Sequence, residues 1–245
     1  MAVLKDFSQA APRPLPVIIM ADCSGSMNEV IDGTYRRTGQ TFVEDGRTWE
    51  AVEGGTTKRD ALNQSIRDML CDLRDASDLR AEIQVSVVAF GGDAATVHLP
   101  LQPAGQIDWQ DMTCFGDTPM GDAFRVTKAL IEDTNLIPGR GYRPTVLLIT
   151  DGEPTDKWEQ PLNALISEGR SGKADRMALG IGPQANKEML VRFLGDESKT
   201  VLHADDARKI RGFFRFVTMT VTARSRSANP NLVPPLGDPF SLDQF

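Results

Sequence analysis

Val17-Ile18-Ile19-Met20-Ala21-Asp22-Cys23-Ser24-Gly25-Ser26-Met27 is the stretch that decides how this chain reads. Five apolar residues run without a break into an aspartate. A strand with one solvated face alternates apolar and polar residues. An unbroken run marks a strand covered on both faces, as in a parallel sheet. Directly after it come one carboxylate and two hydroxyls, and Gly25 lets the loop turn tightly enough for both hydroxyls to face inward. All three groups are hard oxygen donors. They suit Mg2+, Mn2+ or Ca2+, whereas zinc usually takes nitrogen or sulfur. The plainer reading of the same residues is a polar turn in which an aspartate caps a helix start.

Working outward, Thr145–Thr150 is a second continuous apolar strand, and it also ends in an aspartate, Asp151. Glu82–Phe90 and Asp175–Ile181 are further strands, with a short one at Thr200–His203. Gly91-Gly92-Asp93 signals a turn, so Ala95–Leu99 is expected to return as an antiparallel edge strand. Between the strands lie helical patterns at Lys58–Arg74, Pro119–Glu132, Trp158–Glu168, Lys187–Leu194 and Asp206 to about Ala223. In the first, Leu62, Ile66, Met69, Leu70 and Leu73 share one face. In the last, Ile210, Phe213, Phe214 and Val217 do. Strands alternating with helices predict an α/β fold: an open, doubly wound, mostly parallel six-stranded sheet with one antiparallel edge strand and helices on both faces. Ligands bind such sheets outside the carboxyl ends of the strands, near a switch in strand order. Neighbouring parallel strands would bring Asp22 and Asp151 together there.

The expected domain spans residues 14–223, with a lead-in at 1–13 and a Pro-, Asn- and Ser-rich extension at 224–245. A polar stretch from Asn28 to Thr57 is long for a strand-to-helix connection and reads as an insertion with a short hairpin of its own.

With these residues in order, the chain resembles a von Willebrand factor A (VWA) domain, an open Rossmann-like sheet. Asp22-x-Ser24-x-Ser26 after a buried strand is similar to that family's metal-ion-dependent adhesion site. Gly116-Asp117-Thr118-Pro119-Met120-Gly121 resembles its threonine loop, and Thr150-Asp151-Gly152-Glu153-Pro154-Thr155-Asp156 its last aspartate loop. The resemblance implies a metal site of Asp22, Ser24, Ser26, Thr118 and Asp151 holding one divalent cation, Mg2+ foremost, with Mn2+ and Ca2+ also suitable. It further implies direct contacts from the three hydroxyls, aspartates acting through water, and an open position filled by an Asp or Glu of a protein partner. Thr118 can equally serve as a cap before Pro119. Thr150–Trp158 and Phe213–Val217 are similar to the TerY-like branch associated with tellurium resistance. That branch implies a stress-response scaffold with a protein kinase and a PP2C-type phosphatase as partners.

Composition narrows the classes. The 245 residues carry a net charge of −7, which disfavours nonspecific nucleic-acid binding. No apolar run is long enough to cross a bilayer. Cys23, Cys71 and Cys114 are odd in number and widely spaced, which points to a reducing cytoplasm. An enzyme, such as a metal-dependent phosphohydrolase, is the alternative. Against it, Ser24 stands two residues after Asp22 where an acid/base would be wanted, and no phosphate-binding loop or Ser-His-Asp order is present. A structural subunit that has lost its metal is a third reading. Asp117, Asp122, Glu153 and Asp156 read as solvated acids or supports of the site, Lys157 and Trp158 as rim residues, and Arg36-Arg37 as a solvated face. His98 and His203 read as structural. Cys23 is expected to point into the sheet packing.

Overall fold

The computed structural model describes residues 12–44, 47–76, 79–196 and 198–233. Residues 1–11 of the lead-in and 234–245 of the extension lie outside them. Six strands form one sheet: β1 (Arg13–Asp22), β4 (Ala81–Gly91), β5 (Ala94–Pro103), β6 (Thr145–Thr150), β7 (Asp175–Ile181) and β8 (Leu202–Ala204). Their order is β5-β4-β1-β6-β7-β8. Only the β4–β5 edge is antiparallel. Among the described residues, five α-helices cover the sheet: α1 (Lys58–Asp75), α2 (Met120–Glu132), α3 (Glu159–Ser167), α4 (Lys187–Leu194) and α5 (Ala207–Arg226). This is the open α/β sheet expected from the alternation of elements.

The two faces explain the unbroken apolar run. Leu15, Val17, Ile19 and Ala21 pack into the core under α1 and α5. Ile18 and Met20 pack into the core under α2, α3 and α4. Each fully buried aliphatic side chain there contributes about 1.5–3 kcal/mol, so neither face tolerates a polar residue. β1 also starts earlier than the apolar run suggests. Pro14 and Pro16 lie within it, paired with β4, while β6 joins on the other side only from Val17. The prolines therefore fall where no strand yet pairs with that side of β1, and no ladder bond is lost there.

Two further boundaries differ from the sequence expectation. The helix expected to stop near Ala223 continues to Arg226, and Arg224 and Ser225 are buried. Ser225 Oγ donates to Ala81 O at 2.7 Å, and the Arg80 N–H donates to Ser225 O. Residues 224–226 are thus part of the folded body. The insertion is not a short hairpin but a long two-stranded ribbon, β2 (Val30–Glu44) against β3 (Arg47–Thr57). Its register shifts mark bulges, and Gly33 and Gly54 there take positive φ. Arg36–Glu53 and Arg37–Glu50 pair across it on exposed faces. No helix among the described residues is long and apolar enough to cross a membrane.

Candidate metal centre

β1 and β6 run parallel with Ala21 opposite Ile149, so Asp22 and the Thr150-Asp151 pair emerge side by side at the carboxyl end of the sheet. Beyond Asp22 the chain remains stitched to its neighbours. The Cys23 N–H donates to Phe90 O, the Phe115 N–H to Cys23 O, and the Gly25 N–H to Gly116 O. This seam explains Gly91, which sequence reading took only for a turn residue: a Cβ there would stand 2.1 Å from Cys23 O. Ser24 and Ser26 then close a short 3-10 turn, with the Met27 and Glu29 N–H groups donating to their carbonyls.

The side chains form a chain of short contacts. Asp22 Oδ1 accepts from the Ser24 N–H at 2.9 Å, and its Oδ2 accepts from the Thr150 hydroxyl at 2.6 Å. Ser24 Oγ lies 3.1 Å from Ser26 Oγ, and Ser26 Oγ donates to Asp151 Oδ1 at 2.8 Å. Thr118 arrives on a third loop. Its N–H donates to Thr155 Oγ1 and its carbonyl accepts from the Thr155 N–H, which latches this loop to the one that follows Asp151. A Cβ on Gly152 would lie 3.7 Å from Thr118 Oγ1, so that hydroxyl faces the residue next to Asp151. Asp22, Ser24, Thr118 and Asp151 are buried and Ser26 is half-buried. Burial, and then the charge of Asp151, push the Asp22 carboxyl up to about 7 despite its hydrogen bonds to Thr150 and Ser24. Two carboxylates held close in a dry site are what a divalent cation would relieve. Hard oxygens at all five residues fit such an ion.

Solved structures share this architecture. Proximal thread matrix protein 1 from the mussel byssus, whose structure has a zinc-occupied adhesion-site motif, aligns at 17% identity and a TM-score of 0.59, over 86% of this chain and 46% of that one. The ArnB paralog VWA2 from Sulfolobus acidocaldarius aligns at 16% identity and 0.53, over 88% and 46%. The von Willebrand factor type A structure from Catenulispora acidiphila aligns at 20% identity and 0.53, over 86% and 43%. The fold is that of a VWA domain. This chain spans about half the length of the structures it matches. No family model matches the sequence, and no curated protein does.

The most consequential residue at the site is one that sequence reading missed. Lys58, read only as a helix start, places Nζ 2.8 Å from Asp151 Oδ2 and 2.6 Å from Glu29 Oε2, with its side chain 9% exposed. The two oxygens of Asp151 are therefore divided between Ser26 and Lys58. Burial works against the ammonium, but the charges of Asp151 and Glu29 and their hydrogen bonds hold its pKa above the usual lysine value. The ribbon puts Lys58 there. It leaves the chain at Glu29 and returns it at Lys58, whose N–H donates to Glu29 O. The cue in the sequence is positional: an insertion must bring its two ends back together, so the first residue after it lies beside the loop it interrupts.

The acids around the site divide by role. Asp156 accepts from the Gly121 and Asp122 N–H groups and so holds the first turn of α2 behind Thr118. Asp122 accepts from the Ala95 N–H and tethers β5. Glu153 accepts from the Asn186 side chain, and Asp117 is exposed. Trp158 packs partly into the core, with Arg192 over its ring. The Cys23 thiol contacts Met112 Sδ inside the core, and its hydrogen bond with Cys114, together with burial, pushes its pKa far up. His98 meets Gln110 O and the edge of Trp109, and His203 is exposed.

Proposed function

We propose that this VWA domain is a divalent-cation-dependent protein–protein interaction module. Asp22, Ser24, Ser26, Thr118 and Asp151 would hold the cation, and an Asp or Glu of a protein partner would complete its shell. The observation that carries the reading is the linkage by short contacts of two buried carboxylates and the Ser24 and Ser26 hydroxyls at the carboxyl ends of adjacent strands, with the Thr118 hydroxyl facing Gly152 beside them. When bound, the cation supplies a positive centre for an outside carboxylate. The chain itself supplies the arrangement: Thr150 and the Ser24 N–H hold Asp22, and Thr155 holds the Thr118 loop.

Mg2+ suits an all-oxygen donor set best, with Mn2+ and Ca2+ next. The zinc in the mussel protein's site makes Zn2+ a necessary comparison. We place the protein in the cytoplasm, because Cys23, Cys71 and Cys114 are all free thiols. A tellurium-resistance-type scaffold with kinase and PP2C-type phosphatase partners rests on the branch resemblance of Thr150–Trp158 and Phe213–Val217. The phosphohydrolase alternative would use the same two carboxylates, and turnover separates it from the binding module.

The test is a thermal shift on Mg2+, Mn2+, Ca2+ and Zn2+ addition, for wild type and Asp22→Ala, alongside capture of partners with and without chelator. A cation-dependent rise in Tm is expected in wild type and not in Asp22→Ala, with capture lost in chelator. Identical shifts in both proteins, or capture indifferent to chelator, would sink the reading. Turnover of phosphate esters by wild type and not by Asp22→Ala would favour the enzyme instead.

A further inference from the structure

A lysine head group is seldom buried unless it is paired. Lys58 is paired twice, and its two partners differ. Asp151 is fully buried, whereas the Glu29 side chain is 52% exposed. The ammonium thus sits at the mouth of the carboxylate site with one contact inside and one on the way out. Its four-carbon stem allows the head to shift between them without moving the helix that carries it. That helix start is fixed independently, with Thr57 Oγ1 accepting from the Asp60 N–H and Glu29 O accepting from the Lys58 N–H.

We propose that Lys58 is the resident cation of the site, neutralising Asp151 until a divalent ion displaces it toward Glu29, so that Lys58 sets the site's cation affinity and links it to the foot of the ribbon. The inference rests on the metal reading above. A 2+ ion and an ammonium on the two oxygens of one carboxylate repel each other strongly in a poorly screened site. At about pH 8.5 Asp22, Asp151 and Glu29 with the ammonium present a net −2 to the incoming ion; without the ammonium they present −3. Lys58 therefore weakens divalent binding, the opposite of what a purely supporting residue would do. The acidic partner at the exit, Glu29, is the residue from which β2 departs, so a displaced ammonium is left with the root of the ribbon as its only carboxylate partner.

The experiment titrates the full chain with Mn2+ alone at about pH 8.5, following free Mn2+ by electron paramagnetic resonance, for wild type, Lys58→Met and Lys58→Gln. Either variant is expected to bind Mn2+ at least about tenfold more tightly. In parallel, acylation of lysine amines in wild type is read by mass spectrometry, with exposed Lys157 as the internal reference. Labelling of Lys58 is expected to rise several-fold when Mn2+ saturates the site. Equal or weaker Mn2+ binding in the folded variants would overturn the proposal, as would unchanged Lys58 labelling in the saturated chain. Should neither variant fold, the labelling of wild type alone decides. If wild type and variants all fail to bind Mn2+, the metal reading falls and this inference falls with it.

Discussion

Each end of the sheet buries a cationic side chain, and the two are satisfied in opposite ways. At the carboxyl end, Lys58 meets two carboxylates. At the amino end, Arg224 is fully buried and donates to Pro230 O, Thr145 Oγ1 and Arg143 O, all neutral acceptors. The planar guanidinium uses its fixed fork to join the end of α5, the start of β6 and the segment after α5. No mobile ion can reproduce that geometry. The ammonium at the other end is a point charge facing point charges, and a metal ion can take its place. Buried charge thus serves as a lock in one region and as an exchangeable occupant in the other.

That contrast can be broken or sharpened by four measurements. The largest effect is expected from Arg224→Met, which strands three acceptors and should cost about 4–5 kcal/mol, or roughly 10 °C in Tm, with no recovery on adding Mg2+. Urea denaturation at fixed pH reads it directly, and a loss below about 1 kcal/mol would remove the lock. The pH dependence comes next. The folded-state pKa of Asp22 is raised above its unfolded value, so its contribution is fully present below pH ~4 and is lost as pH rises through about 7. Relative to Asp22→Asn, metal-free wild type should therefore lose stability across that window. The decline should flatten in Mg2+. A difference between wild type and Asp22→Asn that rises with pH would contradict the assigned burial of Asp22.

Lys58→Met should cost about 2 kcal/mol without divalent ion at about pH 8.5, and about 10 mM Mg2+ should restore its Tm to that of wild type. Failure of Mg2+ to restore it would make Lys58 a lock like Arg224. The smallest effect belongs to the ribbon. Arg36→Ala removes one exposed cross-strand pair and should shift stability by less than about 0.5 kcal/mol. A larger loss in thermal melts would mean that the ribbon is packed more firmly than its exposed faces indicate.

Much of the site was legible because its residues sit where local rules act. Asp22 and Asp151 each end an apolar run, and parallel pairing of β1 with β6 sets them side by side. Ser24 and Ser26 follow within one turn of chain. Gly91 was not legible as part of the site, and neither was the contact that Thr150, read only as the start of the aspartate loop, makes with Asp22. Gly91 matters because the Cys23 carbonyl, distant in sequence, leaves no room for a Cβ. Thr150 matters because its hydroxyl meets Asp22 across the strand pair. Neither fact leaves a periodic trace.

What the sequence determined by itself is the layering: which strands are covered on both faces, which helices cover them, and at which end of the sheet the acids gather. Apolar periodicity carries that information because burial of side chains is decided face by face along each element. What only the tertiary structure decided is where charge is buried. A lone Lys or Arg reads as solvated, since desolvating it is costly, and only the convergence of distant acceptors offsets that cost. Lys58 owes its place to a ribbon that folds back on its own starting point, and Arg224 to carbonyl and hydroxyl oxygens from three separate segments.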